Sequence, residues 1–140
     1  DYPKFEEELM VVKLTTSNYK PQLNKIFNSE EILFFQDLIR KIPVADNVIE
    51  YAVKLVNKTR LKSEYSSDLA KKYIQWGAGP RASQFLIIGA KCHAAIHGKF
   101  SPDIEDVKAI AIPILRHRIV LNYKAEAENL SIEEIINQLL

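Results

Sequence analysis

The residues whose types and spacing could do chemistry are concentrated in one short run of this chain. The run reads Trp76-Gly77-Ala78-Gly79-Pro80-Arg81-Ala82-Ser83-Gln84-Phe85. Proline suits the first position of a helix because the N–H that it lacks would have no partner there, so the run predicts a helix that starts at Pro80. Arg81 then lies in the first turn, at the positive end of the helix dipole, where a cation costs about 0.3–1 kcal/mol.

Two explanations fit a cation at this end of a helix. In the first, Arg81 points into water or pairs with an Asp or Glu elsewhere in the chain. In the second, its guanidinium and the free N–H groups of the first turn together bind an anion, for which a phosphate is the best match. The residues alone leave both explanations open.

The chain lacks the parts that would make it a nucleotide-hydrolysing enzyme by itself. It has no Gly-x-x-x-x-Gly-Lys-Ser/Thr segment to cradle a triphosphate, and no apolar strand ending in acidic residues to hold magnesium. We therefore expect that this chain alone does not hydrolyse ATP. A phosphate that contacts Arg81 would have to be delivered by another domain.

A metal site is a weaker possibility. His93 and His97 stand four residues apart, as zinc ligands on one helix face often do. No Glu follows His93 in the manner of a metalloprotease, and Cys92 is the only cysteine, so no cysteine cluster completes a tetrahedron. The sequence also places no nucleophile next to a base. We expect no metal site and no hydrolase chemistry independent of ATP.

Two ordered motifs resemble a known family. The run from Trp76 to Ser83 resembles the Gly-Ala-Ser-Pro-Arg-Ala motif of the lid subdomain of MoxR-type AAA+ ATPases, with Gly79 where serine is usual. The second motif resembles the next helix of that family and its exit, and it consists of Asp103-Ile104-Glu105-Asp106-Val107 and Pro113-Ile114-Leu115-Arg116-His117-Arg118-Ile119. The resemblance extends over nearly the whole chain, from Tyr2-Pro3, which looks like the Gly-Tyr-Pro just after the ATPase core.

The resemblance implies a nucleotide site to which this chain contributes one part. Arg81 would be the sensor 2 arginine, the catalytic residue that reads the γ-phosphate of ATP, and Gly79 and Pro80 would bind the cofactor with it. ATP and magnesium would be held in the full-length protein by a P-loop core upstream of residue 1, and the isolated fragment would hold neither. The implied function is ATP binding, nucleotide sensing and hydrolysis by the full-length protein, in chaperone-like remodelling or maturation of partner proteins.

The partners implied by the resemblance are the chain's own AAA+ core domain, neighbouring subunits of a hexameric ring, and a protein with a von Willebrand factor A domain.

The group Arg116-His117-Arg118 has two explanations in this setting. Two arginines could simply end a helix at its negative end, where cations are favoured. Alternatively, one of them could contact nucleotide or a neighbouring subunit, and the sequence does not decide between these.

Composition limits the other classes of function. A length of 140 residues with 47% hydrophobic residues suits one domain with its own core, here residues 1–140. Lys and Arg number 19 against 18 Asp and Glu, and the net charge of +1 gives no general attraction to nucleic acid or to a membrane surface. No apolar run spans a membrane and no leader is visible, so we expect a cytoplasmic protein. Cys92 suggests a small buried hydrophobe in a reducing compartment.

Apolar periodicity and capping residues predict the helices. The first expected helix runs from Phe5 to Leu14, the second is capped by Asn28 and Glu31 and ended by Pro43, and the third is capped by Asp46 and ends near Arg60. The fourth runs from Pro80 to His97. The fifth is capped by Asp103 and Asp106, and the last is capped by Ser131 and Glu134. Short extended segments are expected at 74–76 and 119–121. Pro113 should bend the helix that contains it, because it leaves the carbonyl of Ala109 without an N–H partner.

The helix from Pro80 should be the central one. Phe85, Ile88, Cys92 and Ile96 form its apolar side, and its alanines allow close packing of neighbouring helices. Trp76 is expected to be a core anchor beside the glycine-rich bend, with a base-stacking platform as the alternative.

The predicted fold class is mainly α: a helical AAA+ lid bundle of about five or six helices, with at most a tiny two-stranded β element. A stand-alone helical module that binds protein or nucleic acid remains the alternative.

Overall fold

The structure is a computed structural model that describes residues 2–18 and 20–140. It contains two compact units, one that ends at Ile32 and one from Leu33 to Leu140. Helix α1 of the first unit spans Phe5–Thr15, with three glutamates in its first turn, where the helix dipole favours negative charge. The expectation of a single domain over residues 1–140 stays a prediction.

Helix α2 spans Ser29–Lys41 and begins with the predicted capping box. The Asn28 side chain accepts the N–H of Glu31, and the Glu31 carboxylate accepts the N–H of Asn28, each over 2.8 Å. The helix ends before Pro43, which cannot continue it. None of the described residues of α1 or α2 is buried.

The second unit is mainly helical, as predicted. Its further elements are α3 (Asp46–Lys58), α4 (Asp68–Tyr73), β1 (Ile74–Trp76), α5 (Pro80–Ile96), α6 (Ile104–Ala109), α7 (Ala111–Leu115), β2 (Val120–Leu121), α8 (Tyr123–Ala127) and α9 (Ile132–Leu139). The described residues therefore form nine helices rather than five or six. The excess consists of short helices, including α8, whose N-cap Asn122 accepts the N–H groups of Lys124 and Ala125.

The bend predicted at Pro113 is present as a break between α6 and α7. Ile110 leaves helical geometry at φ −104° and ψ 4°, and α7 restarts at Ala111. Pro113 has no N–H to donate to the carbonyl four residues back, so a continuous helix would lose a bond at this point. The capping boxes predicted for α6 and α9 are also confirmed.

Helix α5 is central to the second unit and contacts α3, α6 and α7. Its buried residues recur every four positions and are Ala82, Leu86, Ala90 and Ala94. The side of α5 that the sequence marked as apolar is partly exposed: Phe85 is 45% exposed and Ile96 is 82% exposed. Cys92, expected to be buried, is only half-buried. The alanine side faces inward because it allows neighbouring helices to approach closely. A Cβ on Gly89 would lie 3.0 Å from Cδ1 of Ile114.

The small sheet and α9 also contribute buried residues to the core. Strands β1 and β2 pair antiparallel, with Ile74 opposite Leu121 and Trp76 opposite Val120. The register shifts between Ile74 and Trp76, and such an irregularity breaks the alternation that would have put both side chains on one face. Ile74 is buried, whereas Trp76 is 67% exposed, so the prediction of Trp76 as a core anchor was wrong.

The ends of two helices differ slightly from the prediction. Ala45 rather than Asp46 is the N-cap of α3. Helix α5 ends at Ile96, with His97 as its C-cap, and Gly98 then adopts a left-handed conformation at φ +71°, as glycine often does just past a helix end. Among the residues that the structure describes, none of the helices combines the length and apolar character needed to cross a membrane.

Candidate functional site

The candidate site is the start of α5. Gly79 is its N-cap, with φ −81° and ψ 176°, and Pro80 occupies the first turn, as predicted. Arg81 is the second residue of the helix. No acidic residue lies in this first turn and no side chain caps it, so the positive end of the dipole carries only an added cation.

The Arg81 side chain is exposed. Over residues 2–18 and 20–140, it takes part in no ion pair and in no side-chain hydrogen bond. In the described part of the chain, Arg81 therefore does not pair with a carboxylate, which was one form of the first explanation given for it. The guanidinium faces solvent, where an external anion could reach it.

The backbone just before this helix is fastened to the C-terminal end of α3. The N–H of Ala78 donates to Oγ1 of Thr59 over 2.9 Å, and the carbonyl of Ala78 accepts from Nε of Arg60 over 2.8 Å. Thr59 and Ala78 are both buried. The N–H and the carbonyl of Ala78, three positions before Arg81, are thus held by the side chains of the two residues that follow α3.

The two glycines of the run have different environments. A Cβ on Gly77 would lie 2.3 Å from the carbonyl oxygen of Thr59 and 2.9 Å from the Cα of Arg60, so only glycine fits there without a backbone shift. A Cβ on Gly79 would have no neighbour within 4 Å. Gly77 is thus the close-approach residue, whereas the position of Gly79 has room for a side chain such as serine.

The group Arg116-His117-Arg118 follows α7. Nη1 of Arg118 donates to the carbonyl of Ile114 over 2.5 Å, and its guanidinium lies 5.2 Å from the ring centre of Phe85 on α5. Arg118 therefore satisfies a carbonyl at the end of a helix, as the structural explanation expects. Arg116 and His117 are exposed, and for them both explanations remain open.

Phe85, one turn beyond Arg81, also lines an open groove between α3 and α5. The groove has a volume of about 620 Å³ and is mainly apolar, with Ile49 and Val53 from α3 and Ile88 from α5. Arg40 also lines the groove. The apolar side that the sequence indicated for α5 thus lines part of a surface groove.

A buried carboxylate at the start of α6 forms a second cluster. Asp106 accepts the N–H of Asp103 over 2.9 Å, pairs with Nδ1 of His93 over 2.7 Å, and accepts from Nζ of Lys99 over 3.1 Å. Burial acts to raise the pKa of Asp106, but these three partners outweigh it and hold that pKa at about 2. The ring of His97 lies beside that of His93, with ring centres 4.2 Å apart and the planes tilted by 33°.

This cluster has a structural role in joining α5 to α6. The described residues contain no group of three or more His, Cys, Asp or Glu side chains arranged to hold a metal ion. The sequence predicted Asp106 only as a capping residue and did not predict its burial or its pairing with His93. Thr59 and Arg60 were missed entirely, because their partner Ala78 lies 19 and 18 residues away and no local pattern signals the contact.

Comparison with known proteins agrees with this architecture. The AAA lid domain family matches residues 66–139. The chain is 31% identical over 139 residues to Chaperone MoxR1 of Mycobacterium tuberculosis, covering 99% of this chain and 37% of that protein. It is 29% identical over 140 residues to the uncharacterized protein YeaC of Bacillus subtilis, of which it covers 41%.

A solved structure shows the same fold. The crystal structure of a candidate ATPase from Cytophaga hutchinsonii superposes with a TM-score of 0.79 at 34% identity, covering 99% of this chain and 42% of that one. The chain thus spans about two fifths of the length of the curated relatives that it matches. Helical architecture and family match together show that the chain belongs to the AAA lid domain family and is similar to MoxR-type proteins over nearly its whole length.

Proposed function

We propose that this chain is the nucleotide-sensing lid of a MoxR-type AAA+ ATPase, in which Arg81 binds the γ-phosphate of ATP held by the core domain. In this proposal ATP and magnesium belong to the full-length protein. The lid contributes one cation, placed where negative charge shifts among the γ-phosphoryl oxygens during transfer. Gly79 and Pro80 bring the start of α5 up to the phosphate.

The observation that carries the proposal is that Arg81 is exposed and has no ion-pair partner among the described residues. A guanidinium at the positive end of a 17-residue helix is unfavourable by about 0.3–1 kcal/mol, and no described carboxylate compensates for it. A phosphate would interact favourably with the guanidinium and with the N–H groups of the same turn. Membership of the AAA lid domain family supports this hypothesis over that of a stand-alone binding module.

The wider role follows by similarity. One relative is named a MoxR chaperone, and we extend that role to this protein as remodelling or maturation of partner proteins. Lid closure would be transmitted to neighbouring subunits of a hexameric ring, and a protein with a von Willebrand factor A domain is the partner to seek. We place the protein in the cytoplasm.

The test is ATP turnover by the full-length protein with Arg81→Ala. We expect turnover to fall at least about tenfold, equivalent to about 1.4 kcal/mol of transition-state stabilisation. Lys124→Ala is a matched control, because Lys124 is also an exposed cation at the second position of a helix. Unchanged turnover in Arg81→Ala, or an equal loss in Lys124→Ala, contradicts the role given to Arg81.

Calorimetry on this chain alone provides an independent check. Because the chain contributes only the Arg81 cation to the proposed site and has no phosphate-binding loop, we expect no tight ATP binding by the isolated chain. Tight binding would instead favour a self-contained module. A coding sequence for a P-loop core upstream of Asp1 would support the lid hypothesis directly.

A further inference from the structure

The end of α3 and the start of α5 are joined at a single residue, Ala78. We propose that Thr59 and Arg60 are positioning residues for Arg81: by fixing both sides of the Ala78 peptide, they set where the guanidinium meets the phosphate. This inference rests on the proposed function, because it concerns the site that Arg81 completes.

The hydroxyl of Thr59 is held in one orientation. It donates to the carbonyl of Val56 over 2.7 Å, which directs its oxygen lone pairs toward the N–H of Ala78. Thr59 is fully buried and Ala78 is 1% exposed, so water cannot replace the hydroxyl. Loss of the hydroxyl would leave a buried N–H without a partner, so the Ala78 peptide would lose its fixed position.

Arg60 holds the other side of the same residue. Its Nε donates to the carbonyl of Ala78 over 2.8 Å, and its Nη1 donates to Oδ1 of Asn57 on α3 over 3.3 Å. The bond to Asn57 holds the guanidinium against the last turn of α3. The Ala78 carbonyl is thus tied to α3 by a side chain that is itself fixed.

Contact at Gly77 limits movement in the opposite direction. The space where its Cβ would be is occupied by the Thr59 carbonyl at 2.3 Å, so the loop already lies against the α3 backbone. Hydrogen bonds at Ala78 prevent the loop from moving away, and steric contact at Gly77 prevents it from moving closer. The helix start has little freedom in either direction.

The position of Arg81 depends on that of the Ala78 peptide. Only Gly79 and Pro80 separate it from Ala78, and the proline ring fixes its own φ. A displacement of the Ala78 peptide therefore moves the base of the Arg81 side chain. Reaction rates are sensitive to such displacements, since misplacement of a group by about 1 Å can cost on the order of 100-fold.

The experiment is a double-mutant cycle in the full-length protein, with ATP turnover as the readout. We expect Thr59→Val to lower turnover by about fivefold or more, and Thr59→Ser, which keeps the hydroxyl, to retain it within about twofold. In the Arg81→Ala background, Thr59→Val should have less than about a twofold further effect, because there is no guanidinium left to position.

Ser67→Ala is the matched control for simple loss of stability. Ser67 also bonds the end of α3, donating to the Lys58 carbonyl over 3.0 Å, and it caps α4, but it makes no bond to Ala78. Its loss should lower the melting temperature and leave turnover at permissive temperature unchanged. Should Thr59→Val fail to fold, Arg60→Met replaces it in the same cycle, since Arg60 is only partly buried.

The outcomes separate the two proposals. A loss with Thr59→Val that disappears in the Arg81→Ala background supports positioning, whereas partial unfolding would lower turnover equally in both backgrounds. If Arg81→Ala lowers turnover but Thr59→Val does not, or if the two losses multiply, the positioning role is overturned and the proposed function stands. If Arg81→Ala itself has no effect, the proposed function fails and the positioning role fails with it.

Discussion

Nδ1 of His93 lies 2.7 Å from Oδ1 of Asp106, and this pair fastens the end of α5 to the start of α6. The carboxylate is fully buried and also bonds Lys99 and the N–H of Asp103. A buried carboxylate with three donors is stabilised as an anion in the folded state only. The stability of the chain should therefore depend on pH in the acid range.

The first prediction concerns this pH dependence. The pKa of Asp106 lies at about 2 in the folded chain against an ordinary value of 3.8, so its contribution to stability is fully present above about pH 4 and is lost as pH falls through about 2. The shift corresponds to about 2 kcal/mol of unfolding free energy. Urea unfolding between pH 7 and pH 2 measures it.

Asp106→Asn should be less stable at pH 7 and should show a smaller decline toward pH 2, because the neutral amide cannot titrate. Asp68→Asn is the control, since the Asp68 side chain is fully exposed and its pair with Lys71 is a surface one. Parallel stability curves for the parent chain and Asp106→Asn would contradict the assignment of the acid dependence to Asp106.

The second prediction compares the two glycines before α5. Gly77→Ala should lower the free energy of unfolding by about 1–3 kcal/mol, because its methyl group would collide with the backbone of Thr59. Gly79→Ser should raise it by about 0.5–1 kcal/mol, since the site has room, an ordinary φ and an N-cap to fill. Urea midpoints of the two variants decide the matter, and shifts of the same sign would show that the difference in environment has no energetic consequence.

The third prediction concerns Trp76, the only tryptophan of the chain. Because two thirds of its surface is exposed, Trp76→Ala should change the free energy of unfolding by no more than about 0.5 kcal/mol. Leu86→Ala, at a fully buried position of α5, should cost about 2–5 kcal/mol in the same assay. Acrylamide should quench the tryptophan fluorescence of the folded chain efficiently, and strong protection from quenching would argue that Trp76 is covered.

Local signals predicted most of the helix boundaries. The capping pairs Asn28 with Glu31 and Ser131 with Glu134 are three residues apart, so a sequence displays them directly. The start of α5 at Pro80 and the break before Pro113 follow in the same way from a missing N–H. The position of Arg81 in a first helical turn was therefore predictable, whereas its role as a phosphate sensor stays a prediction.

The misassigned residues depend on contacts that are distant in sequence. Periodicity alone could not decide which side of α5 packs inward, because both the alanine side and the Phe85 side are apolar. Trp76 turned outward because of a register irregularity against β2, which lies more than 40 residues further along the chain. The contact of Thr59 with Ala78 is also distant in sequence, and no capping residue or apolar periodicity predicts it.

The last prediction tests whether the alanine side of α5 is the packing side. Ala90 is fully buried, whereas Ala95, five residues later on the same helix, is exposed. Ala90→Leu should lower the free energy of unfolding by about 1–3 kcal/mol, because the larger side chain has no space where neighbouring helices approach closely. Ala95→Leu adds the same atoms with the same helix propensity and should stay within about 0.5 kcal/mol of the parent chain. Since the two substitutions enlarge different sides of α5, equal effects in urea unfolding would contradict the assignment of the alanine side as the packing side.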